Sequence, residues 1–208
     1  MRTPTPASTL VTAARDRESG DVIFRMHAAA RERRAEGADV VDSTLGVLVE
    51  DDGRLAVLST VTEVIRDLSP EEAAGYPPLT GRPDLIEAVE RDLLPPGPLR
   101  DQAVSVVTPG GTGAIYQAMV NFLDPGQRAL TTDLTWGPYA SIARQAGRGI
   151  DRFPMFDDAG DFDVDALGHA LRAQAATQGR VLLILNSPCQ NPTGYALTPR
   201  DSSAVADV

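Results

Sequence analysis

The sequence predicts an α/β protein in which a mainly parallel sheet is flanked by helices. Two features of the 208 residues support this fold class. From Ala103 onward, short apolar segments alternate with helical segments, an order typical of parallel sheets. The apolar segments, such as Val-Leu-Leu-Ile-Leu at 181–185, are continuous, as in strands covered on both faces. We divide the chain into an N-terminal arm with a small-domain segment, residues 1–55, and a large domain, residues 56–208.

The first predicted helix starts at Asp21. Ile23, Met26 and Ala30 share one face at helical spacing, charged residues fill the other face, and a glycine ends the helix. Residues 40–50 have the pattern of extended chain, and the Asp-Asp-Gly sequence that follows predicts a tight turn.

Further helical segments follow before Ala103. A helix is predicted over residues 59–67. Ser69 then precedes Pro70 and two glutamates, which is typical of a helix start with proline in the first turn and acids near the positive end of the dipole. That helix is short, because a Gly-Tyr-Pro-Pro sequence interrupts it. Helical spacing returns over residues 82–94 and ends at a Pro-Pro-Gly-Pro sequence.

The second part of the chain alternates regularly between strands and helices. Its predicted order is strand 103–107, helix 113–123, strand 128–132, helix 139–146, strand 150–153, helix 164–176 and strand 181–185. Thr198 and Pro199 then predict an N-cap with proline at the first helical position, so a last helix begins there.

Composition limits the classes of partner. The formal net charge of -10 and the isoelectric point near 4.6 argue against nucleic acid and anionic membranes as partners. The longest apolar run has five residues and the N-terminus lacks a signal-peptide core, so we expect a cytoplasmic protein without a membrane span. One cysteine and two histidines support neither a disulfide nor a structural zinc site.

The sequence Gly110-Gly111-Thr112-Gly113 lies between a predicted strand and a predicted helix. Its backbone N–H groups and the helix dipole would face an anion, so we expect a phosphate site there. A dinucleotide fingerprint would need glycine where Tyr116 stands, and a P-loop would need a lysine. Both nucleotide-binding motifs are therefore disfavoured.

Two more residues are candidates for a ligand site. Trp136, the only tryptophan, follows a strand, where loop residues line the carboxyl edge of an α/β sheet. It can cover a flat ring or close the core as a buried aromatic. Asn191 precedes a proline and offers an amide that both donates and accepts, although Asn-Pro alone is usually only a turn.

Taken together, these motifs resemble the class I and II aminotransferases of the aspartate aminotransferase fold type. The resemblance rests on Tyr-Pro-Pro-Leu-Thr-Gly from Tyr76, the glycine-rich turn, Trp136 and Asn-Pro-Thr-Gly from Asn191, in this order and at matching separations. It implies pyridoxal 5'-phosphate as cofactor, amino acid and 2-oxo acid substrates, and a homodimer with shared active sites.

The resemblance also implies roles for single residues. Gly110, Gly111 and Thr112 correspond to the phosphate cradle, and Trp136 to the residue that stacks on the pyridine ring. Asn191 would donate a hydrogen bond to the ring oxygen of the cofactor. Tyr76, the first residue of its motif, would reach the phosphate of the partner's cofactor. Gly46, outside these motifs, would make a backbone contact near the substrate carboxylate.

The sequence departs from this family in one respect, since all 19 of its basic residues are arginines. The family uses a Schiff-base lysine both as covalent anchor and as acid–base group, and arginine can do neither. The resemblance covers the amino-terminal half of such an enzyme. We therefore expect a truncated sequence, or one completed by a second polypeptide, that is inactive alone.

Two alternatives remain open at this point. The chain could be a non-catalytic module that keeps the phosphate cradle and binds a cofactor or a partner. It could also belong to a lyase, decarboxylase or synthase of the same fold type, because these enzymes share the cradle. An aromatic or a dicarboxylic amino acid is compatible with the residues present.

Overall fold

The computed structural model describes residues 22–208. It divides into two compact units, of which the first ends at Gly75 and the second spans Tyr76–Val208. Asp21, predicted as the start of the first helix, and the remainder of the arm before it lie outside the described residues. The domain boundary at residue 55 stays a prediction.

The first unit contains three of the described helices. They are α1 at Val22–Ala35, α2 at Ser59–Asp67 and α3 at Pro70–Ala74. The predicted N-cap at Ser69 is confirmed, because its hydroxyl accepts from the Glu72 amide in a reciprocal capping box. On α1, the predicted apolar stripe is exposed, with Ile23 and Met26 46% and 56% accessible.

The second unit holds the sheet and its flanking helices. The helices are α4 at Pro83–Leu93, α5 at Pro98–Gln102, α6 at Gly110–Phe122, α7 at Pro138–Gln145, α8 at Val164–Gln178 and α9 at Pro199–Asp207. The strands are β1 at Arg128–Thr132 and β2 at Gly149–Phe153. The sequence analysis does not predict α5, because it interprets Pro98 as part of the sequence that ends the preceding helix, whereas Pro98 begins α5.

The sheet is parallel, as the sequence predicts. Strand β1 pairs with β2 in a register that places Arg128 beside Gly149 and Thr132 beside Phe153. On its other side β1 forms a single parallel bridge, Leu130 with Leu183. The intervening helices α7 and α8 supply the crossovers that parallel strands require. None of the helices described in residues 22–208 has the length and apolar character needed to span a bilayer.

Two of the predicted strands are not strands in the structure. Residues 103–107 are irregular, and a single backbone bond, from the Val107 N–H to the Thr80 carbonyl at 2.9 Å, joins this segment to residue 80. Residues 181–185 run beside β1 but form only the bridge at Leu183. An apolar run becomes a strand only where a neighbouring strand pairs with its backbone over several residues.

The core lies on the two faces of β1. One cluster contains Met119, Ala129 and Ile142, and the other contains Leu130, Phe153 and Leu167. Helices α6 and α7 supply the first cluster and α8 supplies the second, which accounts for the alternation of side chains along β1.

Candidate functional site

The glycine-rich turn forms the first turn of α6. The N-cap residue is Pro109, which has no side-chain acceptor, so the N–H groups of Gly111 and Thr112 have no acceptor from the cap or within the helix. These groups, with the positive end of the helix dipole, form the kind of donor set that binds a phosphate. The Thr112 hydroxyl adds a third donor, and all of these residues are exposed.

The glycines of this turn have different physical roles. No heavy atom lies within 4 Å of the position that a Cβ would take at Gly110 or Gly111, so the space beside these two glycines is open to a ligand. Gly110 also has a φ of +66°, which favours glycine. A Cβ on Gly113 would lie 2.9 Å from the Cδ of Pro109, so that glycine is needed for packing.

Trp136 lies in the loop between β1 and α7. Its ring packs at the edge of the first core cluster, together with Ile115 of α6. It also meets Tyr139 edge to face, with centroids 5.4 Å apart and planes at 82°. Trp136 is only partly buried, so it packs against the core and keeps part of its surface accessible. Burial raises the pKa of the Tyr139 hydroxyl, opposed by a hydrogen bond with Asn186.

The residue before Trp136 has an unsatisfied polar group. The Thr135 hydroxyl is buried, and it makes no hydrogen bond within the described chain. A buried hydroxyl without a partner costs free energy, so native structures rarely keep one without a reason. The loop of Trp136 therefore carries a buried hydroxyl that is available to a ligand.

Asn191 begins a short loop that its own backbone closes. The Gln190 N–H donates to the Tyr195 carbonyl at 2.7 Å, and the Gly194 N–H donates to the Gln190 carbonyl at 2.6 Å. Gly194 has a φ of +75°, which permits the reversal of the chain. The Asn191 side chain is exposed on this closed loop and is available to a ligand.

Tyr76 and Gly46 lie elsewhere on the chain. Tyr76 is fully exposed, and its segment is joined to the approach to α6 by the bond from Val107 to Thr80. Gly46 is exposed in the first unit. It follows a turn in which the Asp42 carboxylate accepts from the Thr44 hydroxyl at 2.6 Å and contacts the His27 ring at 2.7 Å.

The structure therefore connects three of the predicted site segments. Trp136 shares a core cluster with α6, whose first turn includes Thr112, and the loop of Asn191 is hydrogen-bonded to the loop of Trp136 through Gln190. Sequence reasoning missed Gln190, because no local pattern predicts a buried amide. Within residues 22–208 no group of three or more acidic, histidine or cysteine side chains could hold a metal ion.

Comparison with known proteins finds similarity to aminotransferases. The model of the family described as aminotransferase class I and II matches residues 41–208. The aromatic-amino-acid aminotransferase of Paracoccus denitrificans is 29% identical over 171 residues, which are 81% of this chain and 43% of that protein. The protein of the same name from Pseudomonas aeruginosa is 30% identical over 179 residues, covering 82% and 44%.

Solved structures show the same likeness. An aminotransferase from Anaerococcus prevotii superposes with a TM-score of 0.84 at 28% identity, over 95% of this chain and 49% of that one. The cytoplasmic aspartate aminotransferase of Saccharomyces cerevisiae, at 21% identity and a TM-score of 0.74, supports the fold. The chain spans about half the length of the curated relatives that it matches.

Proposed function

The chain belongs to the class I and II aminotransferase family, and from this membership we propose that it forms the cofactor-binding part of an enzyme that moves an amino group between an amino acid and a 2-oxo acid. Pyridoxal 5'-phosphate is the cofactor of this family. The residues in the described chain fit it, because an uncapped helix start beside two open glycines suits a phosphate dianion, and a partly accessible tryptophan, Trp136, suits a flat ring.

The proposed binding residues act by different means. The N–H groups of Gly111 and Thr112 donate to the phosphate, and the Thr112 hydroxyl adds a further hydrogen bond. Trp136 packs against the ring and excludes water from one face. The Asn191 amide donates to the ring oxygen and so fixes the rotation of the ring. When bound, the cofactor supplies an electron sink for charge at the substrate α-carbon.

Covalent anchoring and proton transfer at the α-carbon require an amine that this sequence does not contain. We place that lysine outside these 208 residues and expect them to be inactive alone.

Tyr76 is assigned to the phosphate of the partner's cofactor in a homodimer, and its full exposure leaves it free to make that contact. Gly46 is assigned to a backbone contact near the substrate carboxylate. We also propose a cytoplasmic location.

One observation carries this proposal: α6, whose first turn is uncapped and lined by glycines, packs through Ile115 and Met119 in the same core cluster as the only tryptophan. The test is a titration of the chain with pyridoxal 5'-phosphate, followed by quenching of Trp136 fluorescence. We expect saturable and reversible binding, with no cofactor attached to a side chain after borohydride reduction, as read from the intact mass. Inorganic phosphate should compete, because it occupies the same donors.

Single-residue variants test which residues bind the cofactor. Thr112→Val should weaken binding by roughly threefold to tenfold for one lost hydrogen bond. Asn191→Ala should shift the absorption band of the bound cofactor, whereas the control Asn121→Ala, which removes an exposed amide on α6, should not. If the chain does not bind the cofactor, or if Thr112→Val and Asn191→Ala behave like the control, the proposal fails.

Binding alone would fit a non-catalytic module equally well, so the catalytic part of the proposal needs its own test. The full-length enzyme, with its lysine, should convert an amino donor to a 2-oxo acid and reverse on addition of a 2-oxo acid. Two relatives are named as aromatic-amino-acid aminotransferases, so we propose an aromatic amino donor, with aspartate as the comparison. Release of carbon dioxide or elimination of the side chain instead would favour a decarboxylase or a lyase.

A further inference from the structure

Gln190 is the one glutamine of the Asn191 loop, and its amide is buried and hydrogen-bonded through both its nitrogen and its oxygen. The residue is 3% exposed. Its Nε2 donates to the Leu134 carbonyl at 2.6 Å. Its Oε1 accepts from the Thr193 N–H at 2.9 Å and from the Thr193 hydroxyl at 2.6 Å. A single side chain thus bonds inside its own loop and across to a segment 56 residues away.

The two loops that Gln190 joins are those of Asn191 and Trp136. On one side, the amide lies next to Asn191 in the chain and fills the inside of the loop that it closes. On the other side, its acceptor Leu134 is two residues from Trp136, and the same carbonyl accepts from the Thr132 hydroxyl at 2.7 Å. The positions of both loops relative to one another therefore depend on this amide.

We infer that Gln190 is a positioning residue that holds the Trp136 and Asn191 loops at the spacing the cofactor ring requires. This inference rests on the proposed function, because it assigns both loops to that ring. No apolar residue could replace the amide, because Oε1 accepts from a backbone N–H and Nε2 donates to a backbone carbonyl at once. Glutamate would keep the acceptor side and lose the donor side.

A matched glutamine provides the control. Gln178, at the end of α8, also bridges two elements with its amide, donating to the Arg128 carbonyl at 2.8 Å and accepting from the Arg128 N–H at 3.1 Å. It ties α8 to β1 at the amino end of the strand and bonds neither site loop. Its loss should affect stability in a similar way without moving Trp136.

The experiment compares Gln190→Met, Gln190→Glu and Gln178→Met, with far-ultraviolet circular dichroism to establish folding. Acrylamide quenching of Trp136 without cofactor reports the loop directly, since the chain has no other tryptophan. Titration with pyridoxal 5'-phosphate reports the site. We expect Gln190→Met to increase quenching and to raise the dissociation constant about tenfold, the effect of one to two lost hydrogen bonds. Gln178→Met should change neither.

The outcomes separate this inference from the proposed function. If the parent binds and Gln190→Met matches Gln178→Met in both readouts, Gln190 does not position the site. If Gln190→Met fails to fold, Gln190→Glu decides, and unchanged quenching and affinity in that variant overturn the inference. If the parent does not bind the cofactor, the proposed function fails. Quenching of Trp136 then still decides whether Gln190 holds the loop, and an unchanged value rejects it.

Discussion

Residues 22–118 and residues 119–190 differ sharply in how they are packed. Every buried residue of the described chain lies in the second region, from Met119 to Gln190. The first region contains helices of confirmed position, yet its apolar side chains remain accessible, as at Leu93 with 70% and Val104 with 89% exposure. Secondary structure can thus form from local signals in a segment that has no core of its own.

The glycine-rich turn lies shortly before the boundary between the two regions. Helix α6 begins with the exposed glycine turn and becomes buried at Met119, its first fully buried residue. The donor groups of the turn are therefore held from one end, through the core beneath Ile115 and Trp136. This arrangement leaves the N–H groups open to a ligand while the helix axis is fixed by packing.

Two leucines test the difference between the regions most strongly. Leu130→Ala, at 1% exposure in β1, should lower the free energy of unfolding by about 3–4 kcal/mol, because it leaves a cavity. Leu93→Ala, on α4, should change it by less than about 0.5 kcal/mol. Urea unfolding followed by Trp136 fluorescence measures both. Equal losses would mean that the first region is as well packed as the second.

Two glycines test whether local geometry can outweigh burial. Gly81 has a φ of +107°, and a Cβ there would overlap the Val107 side chain. Gly126 lies in the second region and has a φ of +86°, but the space at its Cβ position is open. Gly81→Ala should cost about 2–4 kcal/mol from strain and overlap together. Gly126→Ala should cost about 1–2 kcal/mol from strain alone.

The same unfolding assay reads both glycine variants. A cost at Gly81 no larger than that at Gly126 would show that the segment of Tyr76 is free to move away from Val107. In that case the single bond between Thr80 and Val107 would not hold the segment in place.

The sequence was informative where the determinants of structure are local. The N-caps at Ser69 and Thr198 follow from a hydroxyl, a proline and an acid within four residues, and the bounds of α2 follow from helical spacing. The strand at 103–107 was wrong because pairing depends on a distant partner that local pattern does not specify. Gln190 was missed for the same reason, since its acceptor lies 56 residues away.

The last helix, α9, lies after both regions and gives a pH-dependent prediction. Hydrogen bonds from the Thr198 amide, the Tyr195 hydroxyl and the Thr198 hydroxyl lower the pKa of Asp201 below its ordinary value of 3.8. A lowered carboxyl pKa stabilises the fold above the unfolded value, and the contribution is lost as the pH falls through the folded value. Asp201→Asn should therefore be less stable than the parent at neutral pH.

The difference between parent and Asp201→Asn should vanish in acid, when measured as urea midpoints from about pH 7 down to about pH 2.5. A parallel series on Asp84→Asn, in the first region, provides the comparison. Arg82 lowers the pKa of Asp84 to about 2, so its contribution should persist to a lower pH than that of a carboxyl with an ordinary pKa. A constant difference across the range would contradict the role assigned to Asp201.

Two threonines with buried hydroxyls probe β1 and the site loop that follows it, and the second of them has the smallest expected effect. The Thr131 hydroxyl donates to the Ile184 carbonyl at 2.9 Å, whereas the Thr135 hydroxyl has no partner within the described chain. Thr131→Val should cost about 1–2 kcal/mol, because it leaves the partly buried Ile184 carbonyl without that donor. Thr135→Val should be neutral or stabilise by up to about 1 kcal/mol, because no hydrogen bond is lost. If Thr135→Val leaves unfolding unchanged but weakens binding of pyridoxal 5'-phosphate, the hydroxyl serves the ligand, and the lack of a partner is explained by the site. If it destabilises the chain as much as Thr131→Val, the Thr135 hydroxyl is hydrogen-bonded in solution. The loop of Trp136 then has no unpaired buried hydroxyl and resembles the rest of the second region.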